Sequence, residues 1–262
     1  MPVPRHCLSS GYHGPVNVLI QIDELVKDYA ERRAVDGLSV DVAGGEILGL
    51  VGPNGAGKTT TLRCLAGIVP PTSGRIRIAG HDLSEEPVQA RRKLAFVPDE
   101  PHLFDHLTVA DHLELFARLY NVAESALLAE QLLRDNELWD RRHAFPGELS
   151  RGMKQKLLLS CALLHSPKVL ILDEPLTGLD PSAMRRTKRT ISATAAAGAA
   201  VVVSSHMLHL VEEICGRILI INNGRRTVAG TLDEIRAAVP DLSGNAGLEE
   251  IFLRATGLDD EP

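Results

Sequence analysis

Residues 47–62 read Ile47-Leu48-Gly49-Leu50-Val51-Gly52-Pro53-Asn54-Gly55-Ala56-Gly57-Lys58-Thr59-Thr60-Thr61-Leu62. Ile47–Val51 is an apolar run of strand length. A glycine-rich stretch follows it, and then TTTLRCLAGIV at 59–69, where Leu62, Leu65 and Val69 recur at helical spacing. From Gly52 to Thr59 the sequence fits G-x-x-x-x-G-K-[ST] between a strand and a helix, the pattern of a phosphate-binding loop. Each residue type has a chemical reason. Small glycines let backbone N–H groups come close to phosphate oxygens. The helix N-terminus adds positive partial charge. Lys58 brings a mobile cation to β- and γ-phosphates, and the Thr59 hydroxyl suits Mg²⁺. Gly52, Pro53, Asn54, Gly55, Ala56, Gly57, Lys58, Thr59 and Thr60 are therefore the expected nucleotide-binding residues.

Further along, VLILDEP at 169–175 is an apolar run ending in two carboxylates. In an open α/β sheet, ligands sit at the carboxyl ends of strands, so Asp173 and Lys58 are expected to face one crevice. There Asp173 holds Mg²⁺ directly or through water, and Glu174 polarises an attacking water. Around these motifs the strand pattern appears in VLIQIDELVKDY (18–29), LSVDV (38–42), RIRIAG (75–80) and Ala200–Ser204, with a hairpin in ILIINNGRRTVAG turning at Asn223-Gly224. Residues from about 85 to 165 read as helical. TVADHLELFARLY opens on Thr108 with Asp111 three residues on, a capping-box start. ESALLAEQLLRD, RGMKQKLLLSCALL, VEEICG, LDEIRAAV and LEEIFLRATG complete the helices. The layout is an α/β core interrupted by a helical insert.

Twenty-eight Lys+Arg against 34 Asp+Glu leave a net charge of −6, and 3% aromatic residues offer few stacking platforms. Both argue against nucleic acid as a partner. No apolar stretch reaches the length that spans a bilayer, and the first residues lack the apolar core of a secretory signal. Residues 1–16, rich in Pro, Gly, Ser and His, read as a flexible extension, and 258–262 as a tail. Cys7, Cys64, Cys161 and Cys215 lie far apart, which fits a reducing compartment, with the last three as small buried hydrophobes on helices. His6, Cys7 and His13 are too few and lack the spacing of a metal site, and His102, His106 and His112 read as ordinary histidines of a polar loop rather than metal ligands.

Taken with LSRGM at 149–153, Gly178-Leu179-Asp180 and Ser205-His206, these motifs resemble the ATP-binding subunit of an ABC transporter, most like its drug- and antibiotic-export branch. The resemblance covers residues 17–257 and rests on several motifs in the family's order. It implies an α/β P-loop fold of the ABC-ATPase type, with an inserted helical subdomain at about 85–165 and a small antiparallel β part. It also implies a role for each motif. Tyr29 stacks on adenine. Ser150, Arg151 and Gly152 belong to the signature, which serves the ATP held by a second subunit. Asp180 belongs to a loop crossing that dimer interface, and His206 contacts γ-phosphate. Arg151 and Met153 depart from the usual L-S-G-G-Q. The family's Mg²⁺-reaching glutamine is expected just after Phe96-Val97-Pro98, where this chain has Asp99 and Glu100; Asp99 is the candidate for that role.

The implied protein is an ATPase using ATP and Mg²⁺, homodimeric, and peripheral on the cytoplasmic face of a membrane. Its permease is a separate chain, and the transport is export. The alternatives are a non-transport ABC ATPase acting on nucleic acid or translation, and a regulatory nucleotide-binding module without hydrolysis.

Overall fold

Continuous β-runs and helices with one apolar stripe can bury those surfaces only by layering, and the computed structural model, which describes residues 17–239 and 246–257, does so around two sheets. β1 (Val18–Tyr29), β2 (Arg32–Ala43), β4 (Ser73–Ile78) and the short β5 (His81–Asp82) form an antiparallel sheet in the order β2-β1-β4-β5. β3 (Ile47–Val51), β6 (Leu94–Val97), β7 (Val169–Asp173), β8 (Ala200–Ser204), β9 (Arg217–Asn222) and β10 (Arg225–Gly230) form the other, in the order β10-β9-β3-β8-β7-β6. Within it β9, β3, β8, β7 and β6 run parallel, and β10 returns antiparallel through the Asn223-Gly224 turn. Every residue of β3, β7 and β8 is buried, as expected for apolar runs covered on both faces.

One apolar core fills the space between the sheets and takes in Leu62 and Leu65 of α1 (Lys58–Leu65). A second lies on the opposite face of the large sheet, against α5 (Arg151–Leu163) and α6 (Pro181–Ala196). A third knits α3 (Val109–Tyr120), α4 (Ser125–Asp135) and α5 into a helical layer. α7 (Leu208–Ile214), α8 (Leu232–Ala238) and α9 (Leu248–Thr256) pack near β9 and β10. In the helical layer the Trp139 ring lies between Arg134 and Arg142, each guanidinium 4.6 Å from its centroid.

The capping box of α3 is present as read. Thr108 Oγ1 accepts from the Asp111 N–H (3.2 Å), and Asp111 Oδ2 accepts from the Thr108 N–H (2.9 Å). Within the stretch expected to be helical from about 85, α2 (Pro87–Arg91) is a single short turn of helix. Leu94–Val97 then departs from that reading, pairing with β7 as a strand of the parallel sheet, and continuous helix starts only at Val109. The first helix ends at Leu65, before Gly67 at φ +68°, short of the expected Val69.

Cys64 and Cys161 are buried on helices as expected, whereas Cys215 falls just past the end of α7 in extended backbone and is only partly buried; all three are free thiols. Burial pushes Cys64 up to about 11 and the other two to about 12, so they are not reactive thiolates. Cys7, His6, His13 and the two proposed terminal segments lie outside the described residues. Among the described residues no helix is long and apolar enough to cross a membrane.

Candidate active site

The phosphate loop leaves the carboxyl end of β3 and enters α1 through Gly57, whose φ of +105° only glycine adopts easily. A Cβ there would stand 2.4 Å from the Ala34 carbonyl oxygen, and one on Gly52 would stand 2.4 Å from that of Ile221. The loop is thus clamped between the start of β2 and the end of β9, and the Gly224 N–H donates to Ala56 O at 2.9 Å. Lys58 arches back over the loop and donates from Nζ to the carbonyls of Gly52 (2.5 Å) and Pro53 (3.2 Å). Burial pushes the Lys58 ammonium down from its ordinary value, and the nearby Glu174 and Asp173 carboxylates oppose that shift.

Across the cleft β7 ends at Asp173, which is 3% exposed and registers with Ser204 on β8. Ser204 Oγ donates to Asp173 Oδ1 (2.5 Å) and accepts from the Glu174 N–H (3.1 Å). The chain turns at Glu174, φ +49°, and sends its carboxylate out of the strand end. Glu174 Oε2 accepts from His206 Nδ1 at 2.8 Å and from Ser205 Oγ at 3.4 Å. Burial raises the Glu174 carboxyl above the usual range; His206 and Lys58 pull it down, and Asp173 adds to the rise. A carboxylate so placed is a stronger base than one in water.

A cleft of about 440 Å³ joins these groups. The expected residues Tyr29, Asn54 through Thr60, Asp99, Asp173, Glu174 and His206 all line it. Gly52 and Pro53 contribute through their carbonyls to Lys58. Ser150, Arg151, Gly152 and Asp180 lie outside it, at the starts of two helices. Ser150 Oγ accepts from the Met153 N–H as the cap of α5, and Asp180 Oδ1 accepts from the N–H groups of Ser182 and Ala183 as the cap of α6. Three lining residues were not singled out from the sequence: Arg32, Ala34 and Thr177. Arg32, opposite Tyr29 in the β1–β2 hairpin, donates from Nη2 to Gly55 O at 2.8 Å. The Thr177 hydroxyl is buried without a partner.

Oxygen donors suit Mg²⁺, and the Thr59 hydroxyl and the Asp173 carboxylate share the cleft. Among the described residues no group of three or more His, Cys, Asp or Glu could hold a metal unaided. A cation here would complete its shell with phosphate oxygens and water. His112 is buried and satisfied by backbone: Nε2 accepts from the Phe104 N–H, and Nδ1 donates to Thr108 O.

A family model described as ABC transporter matches residues 35–177. The chain belongs to the ABC transporter family. This cassette is 33% identical over 240 residues to the ABC-type transporter ATP-binding protein EcsA of Bacillus subtilis, across 91% of this chain and 96% of that protein. It is 39% identical over 213 residues to Nod factor export ATP-binding protein I of Paraburkholderia xenovorans, across 80% of this chain and 70% of that one. The solved structure of an ATP binding subunit of an ABC transporter superposes with a TM-score of 0.86 at 35% identity, covering 90% of this chain and 99% of that one. A dimeric ATP-binding cassette in a post-hydrolysis state, bound to ADP and Pi, shares the fold with a TM-score of 0.75 at 24% identity, covering 82% and 99%. The α/β P-loop fold expected from the motifs is the one found. The cassette is an ATP-binding, ATP-hydrolysing subunit, and it powers a membrane permease that is a separate chain.

Proposed function

We propose that this ABC cassette drives export, working at the cytoplasmic face of a membrane as a pair of identical cassettes with ATP between them. One observation carries the reading: the phosphate loop, Asp173, Glu174 and His206 converge on a single cleft with Tyr29 at its rim. Tyr29, 43% exposed at the end of β1 and with Lys27 Nζ 5.0 Å from its ring centroid, stacks its other face on a purine, a contact worth about 1–3 kcal/mol. The α1 N-terminus and Lys58 receive the β- and γ-phosphates. Thr59 and Asp173 would hold Mg²⁺, which supplies charge neutralisation on the phosphates. Glu174 takes the proton of the attacking water, and His206 keeps that carboxylate aimed. The starts of α5 and α6, with Ser150, Gly152 and Asp180, face the partner cassette and meet its nucleotide. Pairing closes the cleft and hydrolysis reopens it, and that motion is the output.

Export is supported by the Paraburkholderia relative, a Nod factor export ATP-binding protein, and by the likeness of the LSRGM region to the drug- and antibiotic-export branch. The test is purification of the tagged chain from detergent-solubilised native membranes, followed by mass spectrometry. A polytopic membrane protein in near-equal amount is the expected result. A soluble dimer alone, or a ribosomal or nucleic-acid partner, overturns the reading.

A further inference from the structure

The β9–β10 turn at Asn223-Gly224 touches the phosphate loop without lining the nucleotide cleft. Gly224 makes two backbone bonds there. Its N–H donates to Ala56 O at 2.9 Å, and its carbonyl accepts from the Asp36 N–H at 2.8 Å. One residue thus joins the loop to β2. Gly224 sits at φ +77°, and a Cβ on it would stand 2.8 Å from Ala34 O and 3.1 Å from Val35 Cα. Only glycine fits so close an approach in that conformation. Side chains secure the same junction. Asp36 Oδ2 accepts from Arg225 Nε at 2.6 Å, across 189 positions of sequence, and Asp36 Oδ1 accepts from Arg33 Nη1 at 2.9 Å. Arg33 Nε in turn donates to Asp28 Oδ1 at 2.9 Å. Arg225 directly follows Gly224, so whatever holds Arg225 holds the turn. Asp36 is the inner member of the pair, 19% exposed against 74% for Arg225.

A peptide unit is planar and trans, so its C=O and its N–H point in opposite directions. Tying Ala56 O to the turn therefore aims the N–H of the same unit, on Gly57, the other way. Gly57 lines the cleft, and backbone N–H groups at a helix start are the donors that phosphate needs. We infer that Gly224 and Asp36 are positioning residues for ATP: the turn braces the phosphate loop from outside the cleft, and Asp36, gripping Arg225, holds the turn against it. The brace rests on the reading of residues 52–59 as the phosphate site. A donor aimed at a phosphate serves the ground state and the transition state alike, so losing its aim weakens binding and spares the chemical step. A purely structural role does the reverse: unfolded molecules lower the number of active sites, and with it the apparent kcat, at unchanged KM.

Steady-state ATPase kinetics and calorimetric titration with ADP, both on the full chain with Mg²⁺, test this. Asp36→Ala is expected to raise KM for ATP and Kd for ADP about 3- to 10-fold, with kcat kept within about 2-fold. Arg225→Ala should shift both in the same direction, and the double variant should be no worse than Asp36→Ala, since the same bond is already lost. Arg225→Lys, which keeps a charged donor, should recover part of the loss. Gly224→Ala should exceed them all; if thermal melting shows that it does not fold, the Asp36 and Arg225 variants decide the matter. Wild-type KM and ADP affinity in Asp36→Ala overturn the brace, as does a fall in kcat alone. Lys58→Ala separates the two readings. If it binds ADP as the wild type does, the phosphate site is elsewhere and the brace falls with it. If it loses ADP while Asp36→Ala does not, the brace alone falls.

Discussion

Ser204 holds two neighbouring acids in different ways. Its hydroxyl donates to the Asp173 carboxylate and accepts from the Glu174 N–H, so one oxygen fixes both the residue placed for the metal and the turn that aims the base. Ser204→Ala leaves a buried carboxylate one donor short, at a stability cost of about 1–3 kcal/mol. Denaturant titration should show that loss, and ATPase turnover should fall about 10-fold; Ser204→Thr should recover most of both. Arg32→Ala should raise KM for ATP about 3-fold and leave kcat nearly unchanged, because Arg32 touches the loop at Gly55 O and not the acids. Lys58, Asp173 and Glu174 were legible in the sequence because local motifs carry their chemistry. Ser204 and Arg32 were not. Ser204 meets Asp173 only through parallel pairing of β7 with β8, 31 positions apart, and Arg32 reaches Gly55 only once β2 folds back on β1.

Among the elements, α3 was read whole, because its capping box is a local device. Thr108→Ala should cost about 1 kcal/mol in thermal or chemical unfolding. Asp111 gives the pH dependence. The Thr108 hydroxyl, and then its N–H, bond the carboxylate and hold it below its ordinary value. A depressed folded value means stabilisation that is present above the unfolded value and lost as pH falls through the folded one. The melting difference between wild type and Asp111→Asn should therefore be full at about pH 5 and fade toward about pH 2. Two elements escaped the sequence reading for opposite reasons. Leu94–Val97 is too short to show a period beside its helical neighbours. α6 buries Ala183, Thr187, Ile191 and Ala195, a stripe at helical spacing in which only Ile191 is large and apolar, so its pattern is faint until the sheet is there to receive it.

At the scale of the molecule, the two sheets and the helical layer put hydrolysis in one place and the signature turn in another. Ser150 and Gly152 do not line the cleft of their own chain, and in the proposed function ATP joins two copies to bring them to it. Glu174→Gln keeps the shape of the base and removes its proton affinity. Turnover should fall roughly 10²–10⁴-fold, and light scattering with ATP should show a persistent species of twice the mass. Normal turnover in that variant would remove Glu174 from its role.

The helical layer also contains Trp139, held between Arg134 and Arg142. It is the chain's sole tryptophan. Excitation of the indole at its red edge therefore interrogates one spot, the junction of α4 with the turn at Trp139–Arg141. Emission from that spot makes the protein its own unlabelled optical gauge: a spectrum that shifts when ATP is added reports that the event in the cleft has reached the helices, and one that stays still reports that it has stopped short of them.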